Sequence, residues 1–191
     1  MTGEDERVEV TSREQARDWF AAHHADTTAV WLVTYKKGRG PHVGYDDLVE
    51  EALCVGWVDT QGRRVDDERT SLRLTPRRAR SAWSRSNKDR VTRLRAAGLM
   101  RPAGEAVVAQ AVANGCWTAL DEVEALVEPV DLRAALDAVP AARTQWQAFP
   151  PTARRALLEW ISVARTAPTR ERRVQITVSE AAEGRRANHR P

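Results

Sequence analysis

Every stretch of this chain that reads as a β-strand lies before Pro76, and the rest reads as helix or turn. Arg7–Val10 is a short candidate strand. Ala29–Tyr35 (Ala-Val-Trp-Leu-Val-Thr-Tyr) is the clearest one, β-branched, aromatic and short. Trp57 to about Val65 and Thr70–Thr75 flank Asp66-Asp67-Glu68, which predicts a hairpin stopped by Pro76. A small sheet in the first third with a helical remainder is an α+β arrangement. The sheet is expected to be mostly antiparallel, with flanking helices, and a helix-only C-terminal region follows.

The helices carry recognisable start and stop signals. Thr11 with Glu14, or Ser12 with Gln15, makes a capping box ahead of Ala16, Trp19 and Phe20. Tyr45–Val55 has Leu48, Val49, Ala52 and Leu53 on one face and Gly56 at its end. Lys88–Ala97 follows, capped by Ser86 or Asn87, and Pro102 opens the next helix, which runs to Asn114-Gly115. Asp131–Val139 is a short helix. After Pro150-Pro151-Thr152 the stripe Ala153, Ala156, Leu157, Trp160, Ile161 and Ala164 is the best amphipathic pattern of the chain. A last helix opens at Thr169 and reaches about Glu183. The expected division is 1–125 for the α+β part with its arginine-rich loop, 126–185 for a helical region packed on it, and 186–191 for a flexible tail. Glu124–Pro129 is the expected seam.

At 191 residues and 42% hydrophobic, the chain has enough apolar mass for a sizeable core. Two cysteines, Cys54 and Cys116, form no CxxC pattern, so neither a disulfide framework nor a cysteine zinc site is expected. The acidic opening Met1-Thr-Gly-Glu-Asp-Glu has no apolar stretch, and no apolar run approaches the length of a bilayer span. The expectation is a cytoplasmic protein without membrane insertion.

Charge is distributed unevenly. The net charge is +3, and Lys36, Lys37 and Lys88 are the only lysines. Between Arg63 and Arg101, thirteen basic residues face four acidic ones. Such a concentration points to an anionic partner. The competing reading is a solvated face with surface ion pairs. The densest part is Thr75-Pro-Arg-Arg-Ala-Arg-Ser-Ala-Trp-Ser84, a strand-to-helix loop. There Arg77, Arg78 and Arg80 offer forks suited to carboxylate or phosphate, Trp83 offers a stacking surface, and Asn87 lies near a helix N-terminus. Trp83 as a core anchor and Asn87 as a cap is the plainer alternative.

Gly56-Trp57-Val58-Asp59 is the second feature. Strand alternation puts Trp57 and Asp59 on one face, where a carboxylate beside an indole suits acid–base work. Pairing of Asp59 with an arginine is the structural alternative. His23, His24 and His42 lack ligand spacing, and Cys54 reads as a buried small hydrophobe. No Walker A, GxGxxG, GxSxG or HExxH pattern is present, so no cofactor and no metal is expected.

Tyr35-Lys-Lys-Gly38, Ala52-Leu-Cys-Val-Gly-Trp-Val-Asp59, Thr75–Ser84 and Gly98-Leu-Met-Arg-Pro-Ala-Gly104, in this order, resemble the YdeI/OmpD-associated family. Ala164-Arg-Thr-Ala-Pro-Thr-Arg-Glu-Arg-Arg173 resembles its helical bacteriocin-protection region. The resemblance runs from about Arg13 to Glu183. It implies a link to antimicrobial-peptide or bacteriocin protection and brings no catalytic residues. Thr60-Gln61-Gly62 after Asp59 departs from the pattern.

Three functional expectations follow. The first is a protein that binds a small anionic molecule through Lys37, Trp57, Arg63, Arg77, Arg78, Trp83 and Asn87, with a stress or antimicrobial-protection role. The second is a cofactor-independent enzyme with Asp59 as acid–base group and the arginines stabilising an anionic substrate. Nucleic-acid binding ranks third, because no recognition motif accompanies the basic charge.

Overall fold

A computed structural model describes residues 6–188. The first five residues of the acidic opening and the last three of the expected tail lie outside the described residues. The chain divides into two compact units, one ending at Thr118 and one beginning at Ala119.

The first unit is mixed in secondary structure. Its order is β1 (Glu6–Glu9), α1 (Arg13–His23), β2 (Val30–Tyr35), α2 (Tyr45–Cys54), β3 (Trp57–Arg64), β4 (Arg69–Pro76), α3 (Arg85–Ala96) and α4 (Pro102–Ala113). The four strands pair in the order β1-β2-β4-β3. β2–β4 and β3–β4 are antiparallel, but β1–β2 is parallel. The sheet is therefore mixed rather than mostly antiparallel. The physical reason is α1, which returns the chain to the starting end of β1 before β2 begins, as a parallel pair requires.

Local signals explain the helix starts. Ser12 caps α1 by accepting from the Gln15 N–H, while the Gln15 side chain accepts from the Thr11 N–H at 2.8 Å. This is a capping box with its return bond moved one residue back. α3 is capped by Ser84, whose hydroxyl accepts from the Asn87 N–H, so the cap is neither Ser86 nor Asn87 and the helix begins three residues earlier than the sequence suggests. Gly56 joins α2 to β3 at φ +80°, a conformation in which a side chain is strained, and a Cβ there would press on Val107.

One face of the sheet makes the core. Val30, Leu32, Leu72 and Leu74 pack with Trp19 and Phe20 of α1, Leu48, Val49, Ala52 and Leu53 of α2, Val91 and Leu94 of α3, and Val108 and Ala111 of α4. Trp31 and Val33, which alternate with these on β2, are not members of that cluster. The helices α1–α4 pack on that first face, while Trp31, Val33 and Ser71 of the other face are themselves buried, at 8%, 7% and 7% exposure.

The second unit is helical: α5 (Asp121–Glu124), α6 (Val130–Asp137), α7 (Pro140–Ala148), α8 (Pro151–Ser162) and α9 (Ala167–Ala182). Leu132, Leu136, Trp146, Leu158, Ile161 and Ala181 are among its most buried members. Trp146 satisfies its indole N–H on Glu128, which also pairs with Arg143. Ala187, in the expected tail, is buried. No helix among the described residues is long and apolar enough to cross a membrane.

Candidate functional site

The β3–β4 hairpin and the 77–84 loop bring most of the candidate residues to one end of the sheet. Trp57 pairs with Pro76 and Asp59 with Leu74, so the loop leaves β4 beside the start of β3. Arg77 is only 9% exposed. Its backbone N–H donates to Gly56 O at 3.0 Å, its Nη2 donates to Ala82 O at 2.5 Å, and its guanidinium carbon lies 3.9 Å from the Trp83 ring centroid. Nε and Nη1 are buried with no hydrogen-bond partner among the described residues. Burial pushes the Arg77 pKa down to about 10, partly offset by the negative charge of Asp59.

Asp59 accepts a hydrogen bond from the Tyr45 hydroxyl at 2.8 Å, at the first residue of α2. Burial, then the neighbouring Asp59 carboxylate, raises the Tyr45 pKa to about 12. Trp57 sits two residues from Asp59 and meets a different helix. It packs edge-on against Trp19 and Phe20 of α1, and its indole N–H donates to His24 O at 3.3 Å. Trp57 and Trp83 are each about 1% exposed, so both are core side chains with no surface left for a ligand.

A cleft of about 800 Å³ opens beside this array. Its walls include Thr28, Asp59, Arg73, Thr75, Arg78 and Ser81. Arg78 is exposed and makes no ion pair among the described residues. Arginine forks with hydroxyls suit carboxylate or phosphate oxygens.

The other candidates lie elsewhere. Arg63 stacks its guanidinium on Trp31 at 5.0 Å, farther along the sheet. Lys37 lies beyond Tyr35, which pairs with Arg69 at the sheet's opposite end, roughly 20 Å away at ~3.3 Å per strand residue. Asn87 is used within its own helix, its Oδ1 accepting from Arg90. The structure therefore brings Asp59 and Arg78 to the cleft and Trp57, Arg77 and Trp83 behind it, but not Lys37, Arg63 or Asn87. Sequence reasoning passed over Tyr45, Thr28, Arg73, Thr75 and Ser81. Arg73 and Thr75 were findable, since they alternate along β4 with the core residues Leu72 and Leu74.

Cys54 is buried, and its thiol pKa is raised to about 11, chiefly by burial. Cys116 is half-buried, and both thiols are free. No group of three or more His, Cys, Asp or Glu side chains is placed to hold a metal among the described residues.

Comparison with known proteins divides the chain much as the fold does. Residues 8–107 match the family model described as a domain of unknown function (DUF8412). Residues 125–184 match the one described as Bacteriocin-protection, YdeI or OmpD-Associated. The YdeI/OmpD-associated match is thus confined to the helical unit, and the strand and loop motifs at 35–104 fall in the other family. No curated protein and no solved structure matches the chain. Since the first model spans more than half of the sequence, the chain belongs to that family of domains of unknown function, and it carries a YdeI/OmpD-associated, bacteriocin-protection region over residues 125–184.

Proposed function

We propose that the protein binds a small molecule bearing carboxylate or phosphate groups in the cleft at the end of the β3–β4 hairpin. The observation that carries this reading is the make-up of the cleft. Arg73 and Arg78 line it with the hydroxyl-bearing residues Thr28, Thr75 and Ser81, and the single carboxylate of the lining, Asp59, is already held by Tyr45. An incoming oxyanion meets two guanidinium groups and hydroxyl donors. Asp59 fixes Tyr45 and offsets the buried Arg77 charge in this reading, rather than serving as an acid–base group. The reading includes a cytoplasmic role in stress or antimicrobial protection, of which the family description of the C-terminal region supports the bacteriocin-protection part alone.

Calorimetric titration with inorganic phosphate and, separately, with citrate tests the cleft. Wild-type protein binds at least one of them, and Arg78→Ala weakens it about 10- to 100-fold, the size of one or two lost charged hydrogen bonds. No heat with either probe at millimolar concentration, or equal affinity in Arg78→Ala, overturns the reading. The protection role predicts that cells lacking the gene lose survival under bacteriocin challenge. The wild-type gene restores survival and the Arg78→Ala gene does not.

A further inference from the structure

We propose that the outer edge of β3 is a docking surface for an acidic peptide in extended conformation, which adds a fifth strand to the four-stranded sheet. This goes beyond the cleft reading and rests on Gly62, Arg63 and Arg64, none of which lines the cleft.

The strand order places β3 at the edge of the sheet, and from Thr60 to Arg64 the strand is exposed. Its pairing with β4 tells which backbone groups face outward. Arg63 lies opposite Ser71, and its carbonyl accepts from the Thr70 hydroxyl at 3.0 Å, so that carbonyl points toward β4. Val65, two residues on, turns its N–H the same way, to Arg69 O at 3.1 Å. In an antiparallel pair the residues alternate between those bonded to the neighbouring strand and those turned away from it. Gly62 and Arg64 therefore turn their N–H and C=O groups outward, where these groups have no hydrogen-bond partner among the described residues. Such a row of outward donors and acceptors is a template for another strand.

Two features select the occupant. The first is Gly62. Its backbone is not left-handed, and a Cβ there would meet nothing nearer than Ser71 O at 4.0 Å, so neither conformation nor crowding within the protein calls for glycine. Glycine inside a strand weakens it and leaves room for a second backbone or for a large side chain on a facing strand. The second feature is charge. Residues 60–64 hold two arginines and no acidic residue. Arg64 pairs with Asp67 at the hairpin turn, whereas Arg63 is exposed and makes no ion pair among the described residues. Arg63 rests the flat of its guanidinium on Trp31, which leaves the N–H edge for a carboxylate. A second copy of β3 on this edge sets arginines against arginines, which is destabilising. The same charges favour an acidic strand. In antiparallel pairing its two consecutive acids lie opposite Arg64 and Arg63, and the aromatic residue that follows them covers Gly62.

The test is fluorescence anisotropy of the full chain with an end-labelled peptide of valine and threonine that carries two consecutive glutamates followed by tyrosine at its centre. The expected result is binding at low salt, with affinity about tenfold lower or worse for a peptide bearing lysines in place of the glutamates. N-methylation of the tyrosine amide, which faces Gly62, keeps every charge and weakens binding by about tenfold. Gly62→Pro removes an outward N–H and no bond to β4, so the sheet stays paired while docking weakens by about tenfold or more. Arg63→Glu inverts the preference in favour of the lysine peptide. Thermal melts establish that each variant is folded, and the N-methylated peptide with wild-type protein decides the matter if Gly62→Pro unfolds. Any of four results overturns the proposal: no binding of the glutamate peptide at low salt, unchanged affinity in folded Gly62→Pro, an uninverted preference in folded Arg63→Glu, or equal affinity for the N-methylated peptide. The last would mark attraction by charge without strand pairing. Phosphate binding in the cleft is measured separately by calorimetry, so either proposal can fail alone.

Discussion

The Arg77 guanidinium lies 3.9 Å from the centre of the Trp83 ring, with two of its three nitrogens buried and without hydrogen-bond partners among the described residues. A buried cation with so few partners costs stability, and the same burial depresses its pKa. A cation whose folded pKa is lowered binds its proton more weakly in the folded state. The unfolded chain therefore holds more protons between about pH 10 and the ordinary arginine range, so this group's penalty is full below about pH 10 and is relieved as pH rises through that window. At neutral pH the full penalty, of the order of 3 kcal/mol, stands.

Replacing this charge with an apolar chain of similar length should therefore do little harm. Arg77→Met is expected to leave stability unchanged or raise it by about 1–2 kcal/mol in urea denaturation. Trp83→Ala removes the ring beneath it, a fully buried core member, and is expected to cost about 3–5 kcal/mol. If Arg77→Met loses as much as Trp83→Ala, Arg77 has partners that the geometry does not reveal.

Tyr45 gives a spectroscopic handle on the cleft. Its phenol donates to Asp59, and its pKa is raised to about 12. A raised folded pKa means that the contribution to stability is complete below the unfolded value near 10 and is lost as pH climbs through 12. In a Tyr35→Phe background Tyr45 is the only tyrosine, so phenolate absorbance follows it alone. Asp59→Asn removes the charge that opposes ionisation and should move the midpoint down toward 10. An unmoved midpoint would mean that burial alone sets it.

The parts of this fold that were legible are those where local signals agree. β2 is β-branched and aromatic, α2 has an apolar stripe with Gly56 behind it, and α8 has the strongest stripe of the chain. α7 escaped because only Ala142 and Trp146 are buried along its nine residues, too few to declare a period. The parallel pairing of β1 escaped because it depends on where α1 delivers the chain. The arginine-rich loop was recognised by density of charge, but charge does not say which way a side chain turns. Trp57 and Trp83 went inward because large rings gain more from burial than from exposure. Tyr45 meets Asp59 across fourteen residues and two elements, a pairing that no spacing rule anticipates.

Gly104 tests the approach of α4 to α2. A Cβ on Gly104 would lie 2.3 Å from the Cys54 carbonyl oxygen and 2.8 Å from its carbon. Both are backbone atoms, and the same oxygen accepts from the Arg101 N–H at 2.9 Å, so neither side yields without moving a helix. Gly104→Ala, which would help an ordinary helix interior by up to ~1 kcal/mol, is expected here to cost about 2–3 kcal/mol by overpacking. A thermal melt with unchanged or higher midpoint would show that the two helices can separate cheaply.

Glu51 is the most buried acid of the first unit, about 3% exposed, and it joins α1 to α2. It accepts from Arg13 Nε at 2.5 Å and from Arg17 Nε and Nη2 at 3.0 and 2.9 Å. Arg13 also reaches Asp47 and Glu50, both at 2.9 Å. Removing the central carboxylate leaves two guanidinium groups competing for what remains. Glu51→Gln keeps the shape and loses the charge, and it is expected to cost about 2–4 kcal/mol. Little of that loss should vary with added salt, since a buried pair is screened weakly. Removing charge from both sides should cost less than removing it from one. Glu51→Leu/Arg17→Leu is expected to recover most of the deficit, because Arg13 retains Asp47 and Glu50 while the apolar pair fills the space. A double-mutant cycle in urea reads the difference as a coupling above about 1 kcal/mol. Additive losses would mean that Arg17 and Glu51 contribute separately, as exposed charges do.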